Sequence, residues 1–162
     1  LLTNLMSDGP LLSISTDKID EEELRKPRQW NLNFIGKFCG VLGLISSIFD
    51  FTTMGLLLLI GTNIQTFRTG WFLESGLSEI LITFSIRTRK RFYKSKPSEI
   101  LLLSSLIFGL LTIITIYSPL GKFFEFVYLD LHFLGLIGLI LLTYFLMVEF
   151  LKQKVYKKIL KA

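Results

Sequence analysis

The sequence has a single Cys, Cys39, a single His, His132, and four Pro among its 162 residues. One Cys excludes an intramolecular disulfide, and no group of His and Cys has the spacing of a zinc site. Neither kind of staple holds this fold. No Gly-rich loop ends in Lys-Ser or Lys-Thr, so the chain lacks a phosphate cradle of that type. No internal repeat is visible, and no segment is long and polar enough for a soluble catalytic domain. The chain opens Leu1-Leu2-Thr3-Asn4 inside an apolar stretch, without an initiator Met or a basic-then-apolar signal peptide. It is therefore expected to be a fragment of something longer, with its chemistry in the membrane or in the missing part.

What is abundant is apolar surface. The chain is 51% hydrophobic with 15 Phe, and its mean hydropathy is +0.55. A core of this size cannot hide that much in water, so lipid is the expected solvent. The net charge of +5 and the pI near 9.4 would suit a nucleic-acid partner in a soluble domain. Here the basic residues cluster between apolar runs, which fits positive-inside topology better, and no nucleic acid is expected.

Four runs read as transmembrane helices. Phe38 to Ile60 has the length for a hydrocarbon core of about 30 Å and is interrupted only by Asp50. Trp71 to Ile86 is shorter, carries Glu74 and Glu79, and ends in Arg87-Thr88-Arg89-Lys90-Arg91; burial among other helices would explain it. Ile100 to Gly121 has no charge, follows Pro97-Ser98-Glu99 and ends at Ser118-Pro119-Leu120-Gly121. Leu131 to Val148 is apolar apart from His132, and Glu149 to Ala162 follows as a tail with five lysines. The expected fold is all-α: a four-span domain over 34–162, with 1–16 the end of a preceding membrane helix and 17–33 a polar linker. Asp20-Glu21-Glu22-Glu23 offers that linker a short capped helix before Pro27.

Orientation follows from charge. Sixteen of the 18 Lys and Arg fall in the stretch from Asp17 to Lys37, the loop after the second span and the tail, leaving Arg68 and Lys122 for the other side. Both ends of the four-span unit are thus expected in the cytoplasm, in a multi-pass protein of the plasma (inner) membrane with short cytoplasmic loops.

Ionisable groups inside a span cost roughly 2.5–3.5 kcal/mol each on insertion scales, so they face protein and often mark an ion path. Glu79 lies eight residues before Arg87, about 12 Å along a helix, which puts it near the midplane. Ser75, Glu79 and Thr83 repeat at i, i+4 and i+8, an oxygen-rich stripe suited to a hard cation; an interhelical hydrogen bond is the plainer reading of Glu79. Glu74, three residues from Trp71, is expected to snorkel outward, in either a vestibule or a structural role. Asp50 follows Ser46 and Ser47, whose hydroxyls could satisfy it. Gly36, Gly40, Gly43 and Ser47 make a small-residue face, so helix packing is the favoured role for Asp50. Asn4 and Asp8 share a helix face, and Gly9-Pro10 can break the helix there and free carbonyls for an ion. Read alone, Ser7-Asp8-Gly9-Pro10 is an ordinary turn.

Six motifs occur in order: Asn4-Leu5-Met6-Ser7-Asp8-Gly9-Pro10, Asp20-Glu21-Glu22-Glu23-Leu24-Arg25-Lys26-Pro27-Arg28, Ile45-Ser46-Ser47-Ile48-Phe49-Asp50-Phe51, Thr69-Gly70-Trp71-Phe72-Leu73-Glu74-Ser75, Ile86-Arg87-Thr88-Arg89-Lys90 and Tyr117-Ser118-Pro119-Leu120-Gly121. Over nearly its whole length the chain resembles the C-terminal membrane region of P-type cation-transporting ATPases, and the last three motifs resemble the magnesium-transporting branch. The resemblance implies that 1–16 ends the sixth membrane helix and the four spans are helices seven to ten. It implies that Asn4 and Asp8 coordinate the transported ion and that Glu79 occupies a ligand position on the eighth helix. The magnesium branch implies Gln there, so Glu79 departs from it and leaves ion identity open. Ser75, Thr83, Glu74 and Asp50 are possible outer contacts.

The resemblance further implies Mg2+ as the transported ion and as the cofactor of ATP in the parent pump. The parent's phosphorylated Asp in Asp-Lys-Thr-Gly-Thr, its nucleotide domain and its Thr-Gly-Glu loop are absent here, and Thr16-Asp17-Lys18-Ile19 is no substitute. The implied partners are the lipid bilayer and the remaining membrane helices and cytoplasmic domains of the pump. A Ca2+ or monovalent-cation pump is the alternative that the carboxylate of Glu79 would suit. A stand-alone, non-catalytic four-span protein is the alternative of another class.

Overall fold

The computed structural model describes residues 2–18 and 32–159, and all regular structure among them is helical. Six α-helices follow in order: α1 Leu2–Ser13, α2 Leu32–Leu59, α3 Ile64–Ile86, α4 Glu99–Tyr117, the short α5 Pro119–Phe123 and α6 Leu131–Ile159. Single 3-10 turns lie at Ile14–Thr16 and Phe92–Lys94. Among the described residues, three stretches are long and apolar enough to cross a membrane: Leu32–Leu59, Glu99–Tyr117 and Leu131–Lys157. The chain is an all-α membrane protein.

Local chemistry sets the boundaries. Gly61 takes a φ of +72°, its N–H reaching Leu58 O at 3.0 Å while Thr62 N–H reaches Leu57 O at 3.3 Å. This paired closure with a left-handed glycine satisfies the last carbonyls of α2. Two residues later Asn63 caps α3, its side chain accepting from Thr66 N at 2.7 Å. Ser98 does the same for α4, accepting from Leu101 N at 3.1 Å. At the far end Ser118 leaves the helical region, and Pro119 restarts the chain at the first turn of α5, where its missing N–H costs nothing.

Helix α3 lies at the centre and touches α1, α2, α4 and α6. One core joins Phe72 and Leu73 of α3 to Ile116, Ile137 and Leu141; another joins Leu42 and Ile45 of α2 to Tyr144 and Val148 of α6. The outward faces of α2, α4 and α6 are rows of exposed Leu, Ile and Phe, among them Leu44, Phe51, Leu103, Leu106, Leu139 and Leu142. Lipid is the solvent such faces need. The central position of α3 explains why it is not among the three most apolar helices. Its buried side includes Thr69, Gly70, Glu74, Gly76, Thr83 and Ser85, small or polar groups that face protein.

Several sequence expectations change. The helix that contains the expected second span starts at Ile64, ahead of Trp71, so Arg68 and Thr66 are helical. The last helix runs to Ile159, past the apolar run and into the lysines. Gly9-Pro10 neither breaks a helix nor forms a turn: α1 is continuous through it. Pro10 lacks an N–H, so only the bond to Met6 O is removed. The face of Gly36, Gly40 and Gly43 packs on no described residue; among the described residues, a Cβ at any of them would meet no atom within 4 Å. The short helix expected at Asp20–Glu23 lies outside the described residues.

Candidate functional site

Helix α1 is gripped on one side only. Ser7, Pro10 and Ser13 are buried, and Ser13 Oγ lies 2.8 Å from Ser104 Oγ of α4. Gly9 sits against the ring of Phe108, closely enough that a Cβ would enter it. Asn4 and Asp8, one turn apart, are exposed on the opposite side. Helix α4 also fixes their depth. Phe108 packs on Gly9, and Thr112, one turn further along α4, would meet a Cβ at Gly76 of α3 at 3.1 Å. Since α1 runs antiparallel to α4, Leu5 is level with Gly76 and Asp8 is level with Glu79. The two candidate acids lie on separate helices at one height.

They do not close a cage by themselves. Among the described residues no three of His, Cys, Asp and Glu are grouped so that they could hold a metal ion. Glu79 is half-buried and within electrostatic range of Asp50 on α2. Thr83 is fully buried and donates to Glu79 O at 3.0 Å, while Ser75 O accepts from Ser78 Oγ at 2.9 Å. The stripe exists, but its hydroxyl at Thr83 is spent on backbone.

Glu74 does not snorkel. It is 1% exposed, and its Oε2 has no hydrogen-bond partner among the described residues. Because α3 begins at Ile64, Glu74 stands ten residues into the helix, about 15 Å from its start. Of the two hydroxyls expected to satisfy Asp50, that of Ser46 is engaged elsewhere, its Oγ pairing with Tyr144 OH at 2.8 Å. At the end of the bundle away from the basic loop, a cleft of about 650 Å3 is lined by Leu2, Thr3, Trp71 and Phe123–Phe126 with the Arg68–Glu125 pair. None of the candidate ligands lines it.

The basic end holds the polar structure that sequence reasoning missed. Asp17 accepts from Arg87 Nη1 at 2.9 Å through Oδ2 and from Ser98 N at 2.7 Å through Oδ1, and both side chains of the ion pair are buried. Arg87 also donates to Ser95 O. Nearby, Lys152 Nζ donates to Ser85 O at 2.9 Å and Lys90 O at 2.8 Å and pairs with Glu149 at 2.8 Å. Glu149 in turn accepts from Ser85 Oγ at 2.9 Å and Phe92 N at 3.2 Å. The available signal was spacing: Glu149 and Lys152 are three apart on a helix, a pairing distance.

Comparison with known proteins places the chain in a family. Residues 1–153 match the family described as cation transporting ATPase, C-terminus. The chain is 37% identical over 167 residues to a protein named magnesium-transporting ATPase, P-type 1, of Salmonella typhimurium strain LT2, covering 98% of this chain. It is 33% identical over 158 residues to the protein of that name in Escherichia coli strain K12, covering 94% of this chain. In both cases the chain spans 18% of the relative's length. The chain belongs to the family of cation-transporting ATPase C-terminal regions.

Proposed function

We propose that this chain is the C-terminal membrane bundle of an ATP-driven P-type pump that moves Mg2+ across the plasma membrane. ATP hydrolysis, through an aspartyl phosphate and Mg2+, belongs to other parts of the pump. Asn4 and Asp8 of α1 and Glu79 of α3 supply ligands to the ion, and the remaining membrane helices complete the coordination shell. In this reading α3 is a fourth span, with its Glu79 near the midplane, and the basic end faces the cytoplasm.

The observation that carries the reading is the placement of Asn4 and Asp8. They stand together on the face of α1 that no described helix covers, level with Glu79. A small hard cation needs several oxygen ligands in near-octahedral array, often with retained water. A face with one carboxylate and one amide is suited to that when a further surface closes on it. The names of the relatives favour Mg2+ as cargo. A Ca2+ pump is the second reading, favoured by the extra acids Glu79 and Asp50, since Ca2+ accepts more oxygen ligands.

The test is transport by the full-length pump in vesicles. Asp8→Asn is expected to abolish Mg2+ transport and Asn4→Ala to weaken it nearly as much. Glu79→Gln should raise the Mg2+ concentration for half-maximal transport and leave turnover measurable. Normal transport by Asp8→Asn would remove this site assignment, and Ca2+ uptake in place of Mg2+ would select the second reading.

A further inference from the structure

The two helices that carry the candidate ligands end on one ion pair. Asp17 closes the 3-10 turn that extends α1, its N–H bonded to Ile14 O at 2.9 Å. Arg87 is the C-terminal cap residue of α3, its N–H bonded to Thr83 O at 3.2 Å. Asp8 lies nine residues before Asp17, and Glu79 lies eight before Arg87. At helical rise both acids stand roughly 12–15 Å from the pair, which agrees with the level set independently by Phe108 and Thr112.

We propose that Asp17 is a positioning residue for the ion face of α1: through Arg87 and the cap of α4 it fixes the height and rotation of Asn4 and Asp8 relative to Glu79. This rests on the reading of those three residues as ion ligands. Both carboxylate oxygens of Asp17 are used, one on the guanidinium and one on Ser98 N–H, so α1 is tied to α3 and α4 at a single point. The alternative anchors at this end are weaker. Thr16 Oγ1 stands 3.4 Å from Ser98 Oγ, and Ser13 meets Ser104 through neutral hydroxyls. A charge-assisted, buried contact is the strong member of such a set. Because Asn4 and Asp8 occupy the uncovered face of α1, a small rotation or slide of the helix would move them directly.

The test uses the full-length pump in detergent without ATP. Equilibrium Mg2+ binding is measured beside thermal unfolding, and the signal is the part of the binding that Asp8→Asn abolishes. Asp17→Asn keeps the shape and removes the charge facing Arg87. It is expected to raise the Mg2+ concentration at half-saturation roughly tenfold, the factor carried by a lost charge-assisted hydrogen bond, with the number of bound ions unchanged. Lys94→Ala, an exposed change in the same loop, should bind as the wild type does. If Asp17→Asn unfolds more readily yet binds Mg2+ with unchanged affinity, the pair is a structural contact and the proposal is overturned. If Asp17→Asn fails to fold, Arg87→Lys carries the same test, since it keeps the charge and loses the fork. Asp8→Asn separates the two readings: Mg2+ binding that survives it removes the ion site itself.

Discussion

Lys152 Nζ lies 2.8 Å from the carboxylate of Glu149, and both groups reach across to Ser85 at the end of α3. Ser85 gives its hydroxyl to the acid and its carbonyl to the amine, so one residue of α3 satisfies both charges of α6. The Lys152 side chain is fully enclosed, in a stretch where composition suggests a solvated tail. Buried charges persist only when paired and hydrogen-bonded, and here carbonyls of Ser85 and Lys90 complete the shell.

Removing one member of that set should therefore be costly. Lys152→Met keeps the length of the side chain but leaves Glu149 buried and uncompensated, a loss of about 3–5 kcal/mol. Lys157→Met, at an exposed position of the same helix, should stay within about 0.5 kcal/mol of the wild type. Thermal unfolding in detergent compares the two; equal midpoints would mean that Lys152 is not enclosed.

Gly9 and Phe108 yield a second prediction. Adding a methyl group at Gly9 forces the ring aside, and overpacking of this kind costs about 1–3 kcal/mol. Gly9→Ala should lower the unfolding midpoint, while Gly9→Ala with Phe108→Ala should lose less than the sum of the two single changes. Strict additivity would show that α1 and α4 do not meet there.

How much of this was legible in the sequence varies by residue. The apolar runs gave the helices of α2, α4 and α6, because lipid exposure writes itself as unbroken hydrophobicity. Helix α3 was legible only as to its end, at Arg87. Its start at Ile64, capped by Asn63, precedes the apolar run that begins at Trp71 by seven residues, and that difference puts Glu74 deep in the helix instead of near its end. Asn4 and Asp8 share a face because their spacing is four, which any helix would give. That Gly9 of this continuous helix packs on Phe108, ninety-nine residues away in sequence, no local pattern encodes. The Asp17–Arg87 and Ser85–Glu149 contacts are likewise long-range, and no local pattern encodes them.

Topology can be checked with single cysteines after Cys39→Ser. The basic end carries Lys94 and Lys157, and the first turn of α3 carries the exposed Gln65. In inside-out vesicles, Lys94→Cys and Lys157→Cys should react with an impermeant thiol reagent, and Gln65→Cys should not. Reaction at all three sites would mean that α3 does not cross the membrane.

Glu74 is the last test, and its level in the bundle is set by register. Leu57 of α2 would touch a Cβ at Gly70 of α3 at 3.1 Å. The two helices run in opposite directions, so one turn further on Thr53 comes level with Glu74. Both residues are 1% exposed, and Thr53 Oγ1 and Glu74 Oε2 are each without a hydrogen-bond partner. A carboxyl group in that position is held at a cost, because its buried Oε2 has no hydrogen-bond partner among the described residues. Glu74→Gln keeps the shape, removes the ionisable group and brings an N–H that the Thr53 hydroxyl can accept. It should raise stability by about 1–2 kcal/mol, seen as a higher unfolding midpoint, with Mg2+ transport retained. Glu74→Asp shortens the side chain and leaves a gap beside Thr53, so it should lower the midpoint. Loss of transport in Glu74→Gln, with the fold intact, would instead make Glu74 a residue that the ion touches.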